Sequence, residues 1–209
     1  TGLAFALFYA TLSLPIARLA DRFSRRWLIV GSLALWSAMT ALCGLATSFT
    51  ILVLFRIGVA IGEAGSVPAS VSLIADYYPP ERRATAMSTW GLALPAGLMA
   101  GYAGSGWLAE TIGWRLTFAV VGGAGLVLAP LVLAMLAEPR RGRFETSGAP
   151  LPAAPPLFGS LRLLWGTPAV RYVVIAGMLH GFSQYAMMTW NAPFFARTHG
   201  LSPGTVALL

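Results

Sequence analysis

Arg56 and Glu63 stand in a run, Leu54 to Ala69, whose other residues are apolar or small. A charge near a bilayer midplane costs about 2.5–3.5 kcal/mol on insertion scales, so it is kept there for a task. Seven residues at about 100° each make nearly two helical turns, which puts both charges on one face. Ser70 falls on the same face. Gly58, Gly62 and Gly65 fall near the opposite one, which is smooth enough for close backbone packing. Arg56 and Glu63 are separated by about 10 Å along the axis, too far for direct pairing. Each therefore needs its own partner, and a ligand or a proton can serve. Glu63, a carboxyl placed mid-span, is the candidate proton carrier. Arg56 stays charged and can grip a carboxylate or phosphate in bidentate fashion, so it is the candidate for binding an anionic or zwitterionic head group. The apolar remainder of the face suits a tail.

A second polar set lies near the end of the chain. His180, Gln184 and Asn191 are four and seven residues apart in another apolar run, hence on one side of a helix. They are candidates to line a cavity, or to hydrogen-bond between helices. No metal-ligand cluster, nucleophile motif or phosphate-binding loop is visible. No catalytic residue, metal or cofactor is expected.

These residues need a membrane around them. Of 209 residues, 57% are hydrophobic and 10% charged, and the mean hydropathy is +0.73. A soluble domain would carry about 25% charged residues. Six apolar runs are long enough to cross about 30 Å of hydrocarbon. They cover about residues 2–17, 27–47, 50–75, 86–109, 113–136 and 170–196, and Ser202-Pro203 reads as the opening of a seventh helix. The chain opens inside one apolar run and stops as another begins, so it reads as a piece of a longer protein. Cys43, the single cysteine, excludes an internal disulfide.

The net charge of +7 would suggest nucleic acid in a soluble protein, but the arginines are distributed by loop. All 14 basic residues are Arg. Residues 18–26 hold Arg18, Arg22, Arg25 and Arg26; residues 76–83 hold Arg82 and Arg83; residues 138–171 hold Arg140, Arg141, Arg143, Arg162 and Arg171. Arg115 and Arg197 lie in the alternate connections. The positive-inside rule puts the Arg-rich loops in the cytoplasm. Pro139, Pro150, Pro152, Pro155 and Pro156 mark residues 138–168 as a flexible cytoplasmic linker, with a short amphipathic surface helix over Leu157–Trp165. The expected organisation is a membrane bundle over 1–137, this linker, and the start of a second bundle over 169–209.

Residues 17–26, Ala17-Arg18-Leu19-Ala20-Asp21-Arg22-Phe23-Ser24-Arg25-Arg26, resemble the G-x-x-x-D-R-x-G-R-R signature between helices two and three of the major facilitator superfamily. Ala17 and Ser24 stand where the signature has Gly. The resemblance makes Asp21, Arg22, Arg25 and Arg26 a gating motif, whose ion pairs hold one conformation and break in the other. Asp76–Arg83 looks like the superfamily's loop after helix four, with Pro80 suited to a helix start. Residues 91–106 resemble its Gly/Pro-rich helix five, where Pro95 permits a bend and Gly97 and Gly101 form a small-residue face. Gly113-Trp114-Arg115 looks like an outer turn, with Trp114 at the interface. The stretch Arg56–Gly65, the Asp76 loop and the run from Trp190 are most similar to the Spinster group of lipid and sphingolipid transporters.

The implied fold is an all-α membrane protein, a partial major facilitator bundle covering helices two to seven. The implied function is secondary active transport of a small organic or lysolipid-like substrate by alternating access, coupled to protons. Organic-anion or sugar-phosphate transport is the alternative; a non-transporting membrane receptor or an enzyme is a third reading. Arg56 and Glu63 match positions linked in that group to coupling and substrate. The implied partners are the substrate, protons and the lipid bilayer, with no nucleic acid. The protein reads as a monomer in a bacterial inner membrane.

Overall fold

The computed structural model describes residues 2–144, 157–200 and 205. Some side chains within these helices fall outside the description, including those of Asp21 and Arg22. The described residues are all-helical. In order they form α1 (Gly2–Arg22), α2 (Arg25–Cys43), α3 (Phe49–Ala64), α4 (Ser66–Tyr77), α5 (Pro80–Gly91), α6 (Ala93–Ile112), α7 (Trp114–Met135), α8 (Leu157–Gly166) and α9 (Pro168–His199). The chain divides into two compact units, Thr1–Thr146 and Ser147–Leu209. Three described stretches are long and apolar enough to cross a membrane: Arg25–Cys43, Phe49–Tyr77 and Trp114–Met135. The helix expected from Ser202-Pro203 lies outside the described residues.

The helix ends follow from local chemistry. The Ser24 hydroxyl accepts from the Trp27 N–H at 3.4 Å, and the Ser48 hydroxyl from the Ile51 N–H at 3.2 Å, so each caps the helix that follows. Pro80 begins α5, with Glu81 in its first turn. Gly113 turns the chain between α6 and α7 at φ 80°, a conformation that side chains with a Cβ resist.

Two runs that read as continuous spans are each interrupted for one residue, three before a proline. Pro68 has no N–H for the Ala64 carbonyl; α3 stops at Ala64 and α4 resumes at Ser66. Pro95 has none for the Gly91 carbonyl; α5 stops at Gly91 and α6 resumes at Ala93. Gly65 and Leu92, the residues between, keep right-handed helical dihedrals. Each break is thus a joint within a span, not a loop.

In the first unit α2 is the central post, packed against α3 on one side and α7 on the other. Its Ser32, Trp36 and Met39 are four and three residues apart and face α3. The glycine face read from the sequence is the one that meets them. A Cβ on Gly62 would lie 2.7 Å from the Trp36 backbone nitrogen, and one on Gly58 2.7 Å from the Met39 side chain. On the far side Ser37, Ala41 and Gly44 face α7. There a Cβ on Gly122 would lie 2.4 Å from the Ala41 nitrogen. Glycines let three backbones come within contact, as membrane helices require when burial gives no hydrophobic gain. Gly97 and Gly101 of α6 behave differently: nothing lies within 4 Å of where their Cβ atoms would be. They border a cavity among the described residues rather than a helix seam.

The second unit holds α8 and α9, which touch each other. Gly200, at φ 64°, ends α9 by giving its N–H to the Ala196 carbonyl at 3.1 Å.

Candidate functional site

Two arginines organise the first unit, one at each end of its chemistry. Arg56 lies in the second turn of α3 and lines a cavity of about 550 Å³. Thr40 of α2 and Trp114, Thr117 and Phe118 of α7 form one wall; Gly97, Gly101, Tyr102 and Ser105 of α6 form the other. Arg56 is the charged residue of an otherwise apolar and hydroxyl-bearing lining. Such a site fits a ligand with an anionic end, hydroxyl-bonding groups and an apolar body. The Arg56 guanidinium carbon also sits 5.0 Å from the centroid of the Phe5 ring on α1. Trp114 carries Arg115 over its ring at 4.2 Å, and Arg115 reaches the Ala46 carbonyl at 3.4 Å, which ties the start of α7 to the turn after α2.

Arg25, at the opposite end of α2, is 1% exposed. Its Nε donates to Glu138 at 2.8 Å, and its Nη1 forms an ion pair with Asp76 at the end of α4. Nη1 also reaches the Ser72 carbonyl and hydroxyl, each at 3.3 Å, and Nη2 reaches the Pro139 carbonyl at 3.1 Å. The other Asp76 oxygen accepts from the Gly142 N–H at 3.0 Å. Glu138 accepts from the Ser24 hydroxyl at 2.7 Å and the Arg26 N–H at 2.8 Å. The Arg26 guanidinium donates to the Leu133 carbonyl, Arg141 to the Phe23 carbonyl at 2.6 Å, and the Tyr77 hydroxyl to the Ala137 carbonyl at 2.6 Å. Burial alone would raise the Glu138 pKa. The Arg26 N–H, the Arg25 guanidinium and the Ser24 hydroxyl overcome that and hold it down at about 2. Three helix ends are clamped by one buried guanidinium fork.

The candidate residues are distributed as follows. Arg25 and Arg26 are in the clamp; the side chains of Asp21 and Arg22, in the last turn of α1, lie outside the described ones. Arg56 is in the cavity lining, while Glu63 and Ser70 are not. Glu63 is exposed on α3. His180, Gln184 and Asn191 are exposed along α9 of the second unit. Asp76 and Glu138, the two acids that Arg25 holds, were not singled out from the sequence. Their signal was weak: an acid at each of two helix ends, beside Arg-rich loops. Glu138, Pro139, Arg141 and Gly142 also differ from the flexible linker expected from residue 138 onward. The clamp fixes them, because four of their polar groups find partners on α1, α2 and α4 or the turns beside them.

An all-helical bundle with helices long and apolar enough to cross a membrane, a charge clamp at one end and a cationic group in a cavity defines a class, the multi-span membrane proteins. The Major Facilitator Superfamily profile matches residues 1–209, and the chain belongs to that superfamily. It is of the Spinster type. The chain is 36% identical to a bacterial homolog of the human lysosomal transporter Spinster, whose crystal structure is inward-facing and unoccupied. The two agree with a TM-score of 0.81 over 98% of this chain and 48% of that one. It is 35% identical to an MFS-type efflux pump of Mycolicibacterium smegmatis (strain ATCC 700084 / mc(2)155) over 99% of this chain and 47% of the pump. It is 29% identical to protein spinster homolog 1 of Mus musculus over 94% of this chain and 38% of that protein. The chain thus spans about half the length of its first two relatives. Proteins of this superfamily are integral to the membrane.

Proposed function

We propose that this chain is the substrate-gripping part of a proton-coupled secondary transporter that moves an amphipathic, lysolipid-like molecule by alternating access. The observation that carries the reading is Arg56, a fixed positive charge in a cavity otherwise apolar or hydroxyl-lined. A guanidinium holds a phosphate or carboxylate end, and the Phe118 and Trp114 side receives the apolar body. Glu63 takes up and releases the proton. Ser70, His180, Gln184 and Asn191 complete the contacts made with substrate during the cycle. Asp21, Arg22, Arg25 and Arg26 form the gate, and the Arg25 clamp on Asp76 and Glu138 holds the gated end together in one state. That end faces the cytoplasm of a bacterial inner membrane, following the arginine distribution. The protein works as a monomer with lipid, protons and substrate as its partners.

A second reading is transport of a small organic anion or sugar phosphate. It uses the same Arg56, and the likeness to the mycobacterial pump supports only an outward direction. Reconstituted intact protein separates the two. Under an imposed pH gradient, proteoliposomes should move labelled lysophosphatidate and show little flux of a tailless glycerol phosphate. Flux of the tailless compound alone would favour the second reading. No flux of either would remove both.

A further inference from the structure

Phe5, Tyr9 and Arg56 form a stack that the transport reading does not use. Phe5 and Tyr9 are one turn apart on α1, and their rings lie parallel within 16° at 6.0 Å. The Arg56 guanidinium sits over the Phe5 ring at 5.0 Å, across the α1–α3 contact. The same side chain lines the cavity among α2, α6 and α7. Among the described residues no carboxylate lies within ion-pair distance of Arg56; Glu63, seven residues on along α3, acts on it only through space. A guanidinium in a low-dielectric span needs compensation. A carboxylate would neutralise it and compete with an incoming anion. A ring face attracts the cation without cancelling its charge, and a stacked guanidinium keeps its in-plane N–H donors for a ligand.

We propose that Phe5, backed by Tyr9, is a positioning residue that holds Arg56 on the cavity wall and so confers preference for ligands with an anionic end. The inference rests on the reading of Arg56 as the anion-binding group. Pre-setting the guanidinium spares its rotamer entropy when the anion arrives, which shows as affinity. The effect is confined to charged ligands, because an uncharged one of equal tail makes no use of the guanidinium.

The test measures binding of oleoyl lysophosphatidate and of uncharged monoolein to the intact protein in nanodiscs. Wild type is compared with Phe5→Leu, Phe5→Trp and Arg56→Ala. Phe5→Leu should weaken lysophosphatidate binding about fivefold to tenfold, leave monoolein binding unchanged, and Phe5→Trp should bind both as wild type does. Loss of affinity for both probes in Phe5→Leu would make the ring a packing element and overturn the proposal. So would unchanged lysophosphatidate binding in Phe5→Leu alongside a loss in Arg56→Ala. If Arg56→Ala itself binds lysophosphatidate normally, the underlying role of Arg56 falls, and the proposal with it.

Discussion

Arg25 has the deepest burial of any charge described, and its neighbours account for it. Nε and both terminal nitrogens of its guanidinium meet acceptors: two carboxylates, a hydroxyl and two carbonyls. Arg25→Ala should therefore destabilise the protein by about 3–5 kcal/mol, because it strands Asp76 as an unpaired buried charge. Thermal unfolding in detergent measures it. Arg25→Lys keeps the charge but has no fork to span both acids, so it should recover only part of the loss. Glu138 gives a pH prediction. Its folded pKa, about 2, lies below the ordinary value of 4.5, so its contribution is complete above that ordinary value and fades as pH falls toward 2. The melting difference between wild type and Glu138→Gln should stay constant from about pH 5 to 8 and shrink below about pH 4.5. Glu138, which keeps its charge through that range, is therefore not a candidate for carrying a proton. The partners of Arg25 could not be read from the sequence, since Asp76 and Glu138 lie 51 and 113 residues away. No local period connects them. Arg56 was legible because a lone charge inside an apolar run is anomalous at the residue scale itself.

At the scale of elements, what could be read depended on whether the signal was local. Gly58 and Gly62 share a helical face opposite two charges, and that face is where α3 meets α2. Pro80 at a helix start and the helix over Leu157–Gly166 also follow from adjacent residues. The joints at Gly65 and Leu92 follow from Pro68 and Pro95, yet hydropathy passes over them because the apolar run continues. The Gly97/Gly101 face borders the cavity among the described residues, and small residues mark close packing or open space equally well. Tyr102, Ser105 and Thr117 were missed as cavity lining, because nothing in their types separates them from residues facing lipid. The glycine seams give a further prediction. Gly122→Ala should cost about 1–3 kcal/mol, since its Cβ would meet the Ala41 nitrogen and Ser37 carbonyl of a backbone that cannot yield. Gly31→Ala, where nothing lies within 4 Å, should be neutral or stabilising through helix propensity. Melting temperatures of the two variants in the same detergent distinguish them.

The whole molecule is expected to sit with its clamp end in the cytoplasm. Cys43 is fully buried, and Cys43→Ser removes the one thiol of this sequence before labelling. Phe144→Cys should react with an impermeant maleimide only after the cells are opened; labelling from outside would reverse the orientation. The central claim is that Arg56 grips the substrate while Glu63 exchanges the proton, so that a pH gradient does work on an amphipathic anion. One measurement tests it most directly: uptake of labelled lysophosphatidate into proteoliposomes holding Glu63→Gln protein, driven by a pH gradient alone. The account predicts that the variant still binds the ligand and equilibrates it, but no longer accumulates it. Accumulation against a gradient by Glu63→Gln protein under the same drive would contradict it and assign the proton to another residue.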